Sequence, residues 1–412
     1  MLKTRGARIP ESDATAAGFD PARLARIRPW MQGYVDTGRL PGSLTLVARR
    51  GAMVWCDWVG QRDVERDLPW TRDTLIRIYS MTKPITATAL MMLFEQGLCR
   101  LDDPVDLYIP EFAGRTVLRP DARSVDDVDP ARTRLTLHHL LTHTSGLTYG
   151  FQEGLLAEAY RSDGVDFSDQ SATLATTVSR LARLPLGFEP GSRWHYSVST
   201  DVIGRIVEVI SGRPLDRVFR EDILGPLGMA DTFFAVPEDN PGRLASLYAR
   251  PPEGGMKLSE DGPGTRFREG EVHLFSGGGG LVSTADDYFR FAEMQRRGGA
   301  LGDVRLLGPR TMRLMASNHL PGDLASMGQK VWAEVSFEGI GFGLGGWVML
   351  DPVRAKTLGS PGDFGWGGLA STVYWADPAE DMVVIFLTQL TPSSSYPIRN
   401  ELRALVYSAL VD

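Results

Sequence analysis

Strand-like segments stand near both ends of this chain and helical patterns fill its middle, and that distribution constrains the fold more than any other feature. Residues 43–47 alternate as a strand does, residues 49–51 supply a turn, and the apolar run at 52–59 completes an antiparallel hairpin. Far along the chain, residues 346–351, 369–376 and 382–389 read as strands, the last two joined by a turn at 377–381, and residues 398–411 read as a closing helix. Between these ends lie helical patterns at 82–96, 135–141, 172–184 and 201–211. If first and last segments share one sheet, the middle must be an insertion. The expected fold is therefore α/β (α+β), an antiparallel sheet flanked by helices. Residues 1–90 and 280–412 would form the sheet lobe and residues 91–279 a mainly helical lobe, with a cleft between them. At 412 residues the chain has room for both, since single cores seldom grow beyond roughly 250 to 300 residues.

Composition removes several classes of function. The net charge of −7 and the pI near 5.5 leave no basic stripe for phosphates, so nucleic acid is not an expected partner. No apolar run approaches the roughly 18 to 20 residues of a membrane span. At the N-terminus, positive charges are followed by Pro10, Glu11 and Asp13 with no apolar centre of a signal peptide, and the expected location is cytoplasmic. Cys56 and Cys99 are too few for a disulfide framework or a metal site and read as free thiols. Of the 44 basic residues only Lys3, Lys83, Lys257, Lys330 and Lys356 are lysines, so a lysine inside a motif stands out.

Lys83 is such a lysine. Ser80, Met81, Thr82 and Lys83 form an SxxK tetrapeptide at the start of a helical pattern, with Pro84 in the first turn and Gly97 as the stop. A spacing of three on a helix puts hydroxyl and amine on one face. An amine can take the serine proton only in its neutral form, which burial and the positive end of a helix both favour. The tetrapeptide alone is a weak signal, and its company strengthens it. Tyr196 follows the turn Pro190, Gly191, Ser192, and Trp366, Gly367 and Gly368 stand among the C-terminal strand segments.

In this order the motifs resemble the serine β-lactamase and penicillin-binding protein superfamily, and within it the esterase branch often called family VIII carboxylesterases. The resemblance spans residues 42–411 and rests on SMTK at 80–83, LLTHTSGL at 140–147, PGSRWHYS at 190–197, ILGPLGM at 223–229, SGGGGLVST at 276–284 and WGG at 366–368. It implies a β-lactamase/transpeptidase-like fold with the active site between the lobes. Ser80 would be the nucleophile, Lys83 its activating partner, and Tyr196 the base that relays the proton to the leaving group, with the choice of primary base between Lys83 and Tyr196 left open. The backbone N–H groups of Ser80 and Leu369 would form the oxyanion hole. Neither metal nor organic cofactor is implied.

Two departures bear on substrate. Trp366, Gly367 and Gly368 occupy the place of the KTG strand of the β-lactamases, so an aromatic ring replaces the cationic lysine; Lys356, in KTLG, is a decoy. Val198 stands where an asparagine would hold an acyl amide. Trp366, Gly367, Gly368 and Val198 are thus the expected substrate-binding residues, and small acyl or aromatic esters the expected substrates. The same residues would serve a β-lactamase, a D-amino-acid amidase or peptidase, or an acyltransferase; a catalytically silent acyl-binding protein is a further alternative. The sequence carries no signal for oligomeric state.

The remaining motifs read as structural. His139 and His143 are four apart beside His138, but no Glu lies between them and no third ligand is evident. Asp102 with Asp103, and Asp286 with Asp287, read as loop and helix-start charges, the latter on a helix at 285–298 capped by Ser283 or Thr284. No GxSxG elbow is present, which argues against an α/β-hydrolase. Residues 277–280 are all glycine without the Lys and Ser/Thr of a phosphate loop, and read as a flexible turn in the cleft wall.

Overall fold

The computed structural model describes residues 6, 8–165, 167, 169–238, 241–328, 330–332, 335–393 and 395–412. Residues 1–5 and 7 of the N-terminal stretch used for the location reading, Lys3 among them, lie outside these. An eight-stranded sheet organises the molecule. Its strands are β1 (Gly42–Arg49), β2 (Ala52–Asp63), β3 (Leu68–Pro69), β4 (Ile340–Phe342), β5 (Trp347–Met349), β6 (Phe364–Gly367), β7 (Val373–Asp377) and β8 (Met382–Leu387), in the spatial order β4-β5-β6-β7-β8-β1-β2-β3. All neighbours are antiparallel, and β1 joins the two ends of the chain by pairing with β8, Leu44 opposite Leu387.

Both faces of this sheet are buried, so β8 shows a continuous apolar run rather than alternation with polar residues. Period two still sorts its side chains. Val383, Ile385 and Leu387 face one core with Leu44, Leu46 and Ala48, while Met382, Val384 and Phe386 face the other with Val47. The second core is covered by α1 (Ile27–Asp36), through Ile27 and Met31, and by the C-terminal helix, through Leu402 and Val406. The first core is larger. It holds α2 (Lys83–Glu95), α3 (Leu137–Leu141), α4 (Ser199–Ser211) and α5 (Ala285–Arg296), with the closing helix α6 (Ile398–Tyr407) left on the opposite face. Thr284 is the N-cap of α5, its hydroxyl accepting the Asp287 N–H at 3.3 Å.

Two local expectations change. The segment 369–376 is not one strand: Trp366 and Gly367 already lie in β6, and a turn closed by Gly368 N–H to Thr372 C=O at 2.9 Å separates it from β7. Gly365 hides the strand from pattern reading, because a Cβ there would lie 2.2 Å from the Tyr374 carbonyl oxygen across the ladder. Ser80 also sits one step earlier than expected, in the 3₁₀ turn Tyr79–Thr82 that leads into α2. Tyr79, immediately before it, has φ +42°, a strained value for a bulky residue. No helix among the described residues is long and apolar enough to cross a membrane.

Candidate active site

Ser80 is held where three supports meet. Strand pairing of Ile76 with Ser283 and Arg77 with Val282 fixes the chain just before it, and the Gln389 side chain accepts the Arg77 N–H at 3.1 Å and donates to the Arg77 carbonyl at 3.1 Å. After it, α2 is buried through almost its whole length, Lys83 included, so the helix is locked by packing. Thr86 donates to the Gly277 carbonyl at 2.6 Å and Thr82 accepts the Leu281 N–H at 3.2 Å, tying α2 to the glycine segment.

The Lys83 ammonium position is defined by three oxygens: Ser80 Oγ at 3.1 Å, Tyr149 Oη at 2.8 Å and the Gly278 carbonyl at 2.7 Å. A charged amine would donate to all three. A neutral one would serve Gly278 and Tyr149 with its two N–H groups and turn its lone pair to Ser80, so both proton states fit one geometry. From the other side, Tyr196 Oη lies 2.5 Å from Ser80 Oγ. Tyr196 is placed by its neighbours in sequence: the His195 N–H donates to the His143 carbonyl at 2.8 Å and the Val198 N–H to the Thr148 carbonyl at 3.1 Å, which clamps this segment to residues 143–148. Trp366 Nε1 donates to Tyr196 Oη at 3.4 Å, and Tyr149 is hydrogen-bonded to Tyr196 as well.

Burial, with Tyr196 and Asp201 adding to it, pushes the Tyr149 phenol well above its ordinary range, so Tyr149 remains a neutral hydroxyl. His143 is held neutral: burial first and the Lys83 charge second push it well below its ordinary value, and its Nδ1 shares a proton with Ser197 Oγ at 3.1 Å. His138 pairs with His319 at 3.1 Å and His139 closes a capping box with Thr136, so each histidine of the LHHLLTH stretch has a protein partner.

Ser80 opens on a cavity of about 250 Å³. Its walls are mainly aromatic, from Tyr149, Phe151, Trp194, Phe337, Trp347 and Trp366. Gly367, Gly368 and Leu369 form one edge, and Leu369 is exposed to it. A Cβ at Gly368 would lie 2.4 Å from the Ile78 carbonyl, so only glycine brings this turn against the segment that leads into Ser80.

Sequence reasoning misplaced one residue and missed four. Val198, expected to touch substrate, is fully buried at the N-cap of α4 and does not line the cavity, because the helix begins there and turns its side chain into the core. Tyr149 and Asp201 carried no motif of their own. Gly278 was seen only as part of a flexible turn, whereas the segment is packed: a Cβ on Gly277 would lie 2.9 Å from the Thr200 carbonyl. Arg399, on α6, was not expected at all. Its guanidinium lies beside β6, with Nη2 2.9 Å from where a Gly367 Cβ would be, and it lines the cavity next to Gly367.

Fold and site together define a serine-nucleophile protein of the β-lactamase type. The family model for Beta-lactamase matches residues 27–408, and the chain belongs to that family. It is similar to Esterase EstB of Burkholderia gladioli, 35% identical over 418 aligned positions that cover 96% of this chain and 98% of EstB. It is 31% identical to the monacolin J acid methylbutanoyltransferase of Aspergillus terreus, with 92% of each chain covered. Among solved structures, EstCE1, a hydrolase with promiscuous acyltransferase activity, superposes with a TM-score of 0.78 at 31% identity, covering 94% of this chain and 99% of that one.

Proposed function

We propose that this protein is a serine carboxylesterase that hydrolyses small acyl or aromatic esters through an acyl-enzyme on Ser80. The observation that carries the proposal is the sharing of Ser80 Oγ by Lys83 Nζ and Tyr196 Oη at 3.1 and 2.5 Å on the wall of an aromatic cavity. In this reading the active site lies between a sheet lobe, residues 1–90 and 280–412, and a mainly helical lobe, residues 91–279. Ser80 Oγ attacks the ester carbonyl while its proton passes to the Lys83–Tyr196 pair. The N–H groups of Ser80 and Leu369 receive the negative charge of the tetrahedral intermediate. Its collapse breaks the carbonyl–alkoxy bond, and Tyr196 returns the proton to the departing alcohol. Water then repeats the sequence on the acyl-enzyme, releasing the acid and restoring Ser80. When Tyr196 gives up its proton, the charge on its oxygen meets the Trp366 N–H and the Tyr149 hydroxyl.

The partners are accordingly small-molecule esters, and aromatic walls favour apolar acyl or alcohol groups. Esterase EstB and EstCE1 support hydrolysis, and the methylbutanoyltransferase supports transfer of the acyl group to an alcohol as a second reading. The test is a comparison of p-nitrophenyl butyrate with nitrocefin, followed by addition of an alcohol. Ester turnover is expected to exceed nitrocefin turnover by about a hundredfold or more, since Val198 has no polar group with which to hold a penicillin-type acyl amide. Faster nitrocefin turnover would overturn the esterase reading. New ester accumulating ahead of free acid would make transfer the principal activity.

Trp366→Phe keeps the aromatic wall and removes the N–H that meets Tyr196. A kcat lower by about three- to tenfold with little change in KM is expected from steady-state kinetics, the worth of one hydrogen bond. An unchanged kcat would reduce Trp366 to a wall residue.

A further inference from the structure

Asp201 is a buried carboxylate in the first turn of α4, 1% exposed, and the mechanism above does not use it. One of its oxygens accepts the Ser276 hydroxyl at 2.5 Å and the Gly278 N–H at 3.0 Å. The carbonyl of that same Gly278 receives Lys83 Nζ at 2.7 Å. Gly278 is thus gripped from both sides, by an anion at its N–H and by the site lysine at its carbonyl. It must also be glycine, since a Cβ would stand 2.3 Å from the other Asp201 oxygen. Resting on the reading that Ser80 is the nucleophile, we propose that Asp201 is a positioning residue. Its carboxylate holds Gly278 so that the Gly278 carbonyl fixes Lys83 against Ser80, and its charge sets the pH at which Ser80 becomes reactive.

The surroundings support an electrostatic role. Burial raises the Asp201 carboxyl, and the Lys83 charge is the largest influence opposing that rise. Lys83 from α2 faces the carboxylate, whose charge raises the Tyr149 phenol on the segment after α3, and beyond Lys83 stand Tyr196 and the neutral His143. An acidic residue in a first helical turn also stabilises its helix. That role would change stability without moving a pH profile, so the profile separates the two.

The experiment follows phosphonylation of Ser80 by a fluorophosphonate ester, read by intact-protein mass from about pH 5 to about pH 10. In this step the Ser80 oxygen–phosphorus bond forms, the phosphorus–fluorine bond breaks, and the serine proton leaves with fluoride. No ester turnover is required, so a protein that fails to hydrolyse esters counts against the esterase reading and still tests Asp201. Asp201→Asn keeps the hydrogen-bonding oxygen and removes the charge. Its plateau rate is expected to stay within about threefold of wild type while the acid limb moves about one unit to lower pH, because the Ser80–Lys83–Tyr196 cluster sheds its proton more readily without a nearby anion. Asp201→Ala, which frees Gly278, is expected to lose about ten- to a hundredfold at the plateau. Ser276→Ala, a smaller change than Asp201→Ala, should slow labelling by about three- to tenfold. An Asp201→Asn profile that superimposes on wild type, or an Asp201→Ala or Ser276→Ala protein labelled at the wild-type rate, would overturn the proposal.

Discussion

Replacing Ser80 with alanine is expected to lower p-nitrophenyl butyrate hydrolysis by about ten-thousandfold or more, to the background rate, because the acyl-enzyme then has no oxygen to form on. Little structural cost should accompany this. Ser80 Oγ is one of three acceptors for Lys83, and Tyr149 and Gly278 remain in place when it is removed. The thermal midpoint should therefore stay close to wild type. A time course with both proteins, together with intact-mass detection of a butyryl adduct on wild type alone, measures the effect. An active alanine variant would end the proposed mechanism.

The second large effect is that of Tyr196→Phe. Only one oxygen is lost, and the ring keeps its neighbours, His143 at 5.0 Å, Tyr149 at 5.1 Å, Trp366 at 5.6 Å and Trp194 at 6.2 Å between centroids. Packing survives while proton relay does not. A fall in kcat of about a hundred- to ten-thousandfold is expected, the range that general acid–base partners supply. Lys83 would still face Ser80, so slow acylation should persist and the deficit should appear largely in leaving-group protonation. A substrate with an acidic leaving group such as p-nitrophenol should suffer less than an alkyl ester of the same acid. Retention of more than about a tenth of wild-type activity on both substrates would remove Tyr196 from the mechanism.

What could be read in advance divides by sequence distance. Ser80 and Lys83 are three apart on one turn, and their spacing carries their meaning within a tetrapeptide. The hairpin at 43–59 and the strand at 382–389 were legible because apolar runs and turns are local signals. Tyr149 reaches Lys83 from 66 positions away and Asp201 reaches Gly278 across 77, and neither sits in a pattern that announces such a meeting. Asp201 read alone is an ordinary helix-start acid. Arg399 read alone is a surface cation on a terminal helix, and becomes a wall of the cavity only because that helix lies beside β6. The β6 strand itself was obscured by three glycines among residues 364–368, which the close ladder and the turn demand and which erase any side-chain alternation.

The seam between β1 and β8 bears on how the protein comes to life during synthesis. Ser80 and Lys83 leave the ribosome early, whereas β6 with its neighbouring turn, and β8 that seals the edge of β1, emerge near the end. Until then the hairpin β1–β2 offers an open, apolar edge, the kind of surface that invites mispairing and chaperone capture. Pairing of such remote segments also slows folding. On the proposed mechanism, nascent chains carry a serine with no Leu369 N–H to receive an oxyanion, and remain inert in the cell until translation is nearly complete.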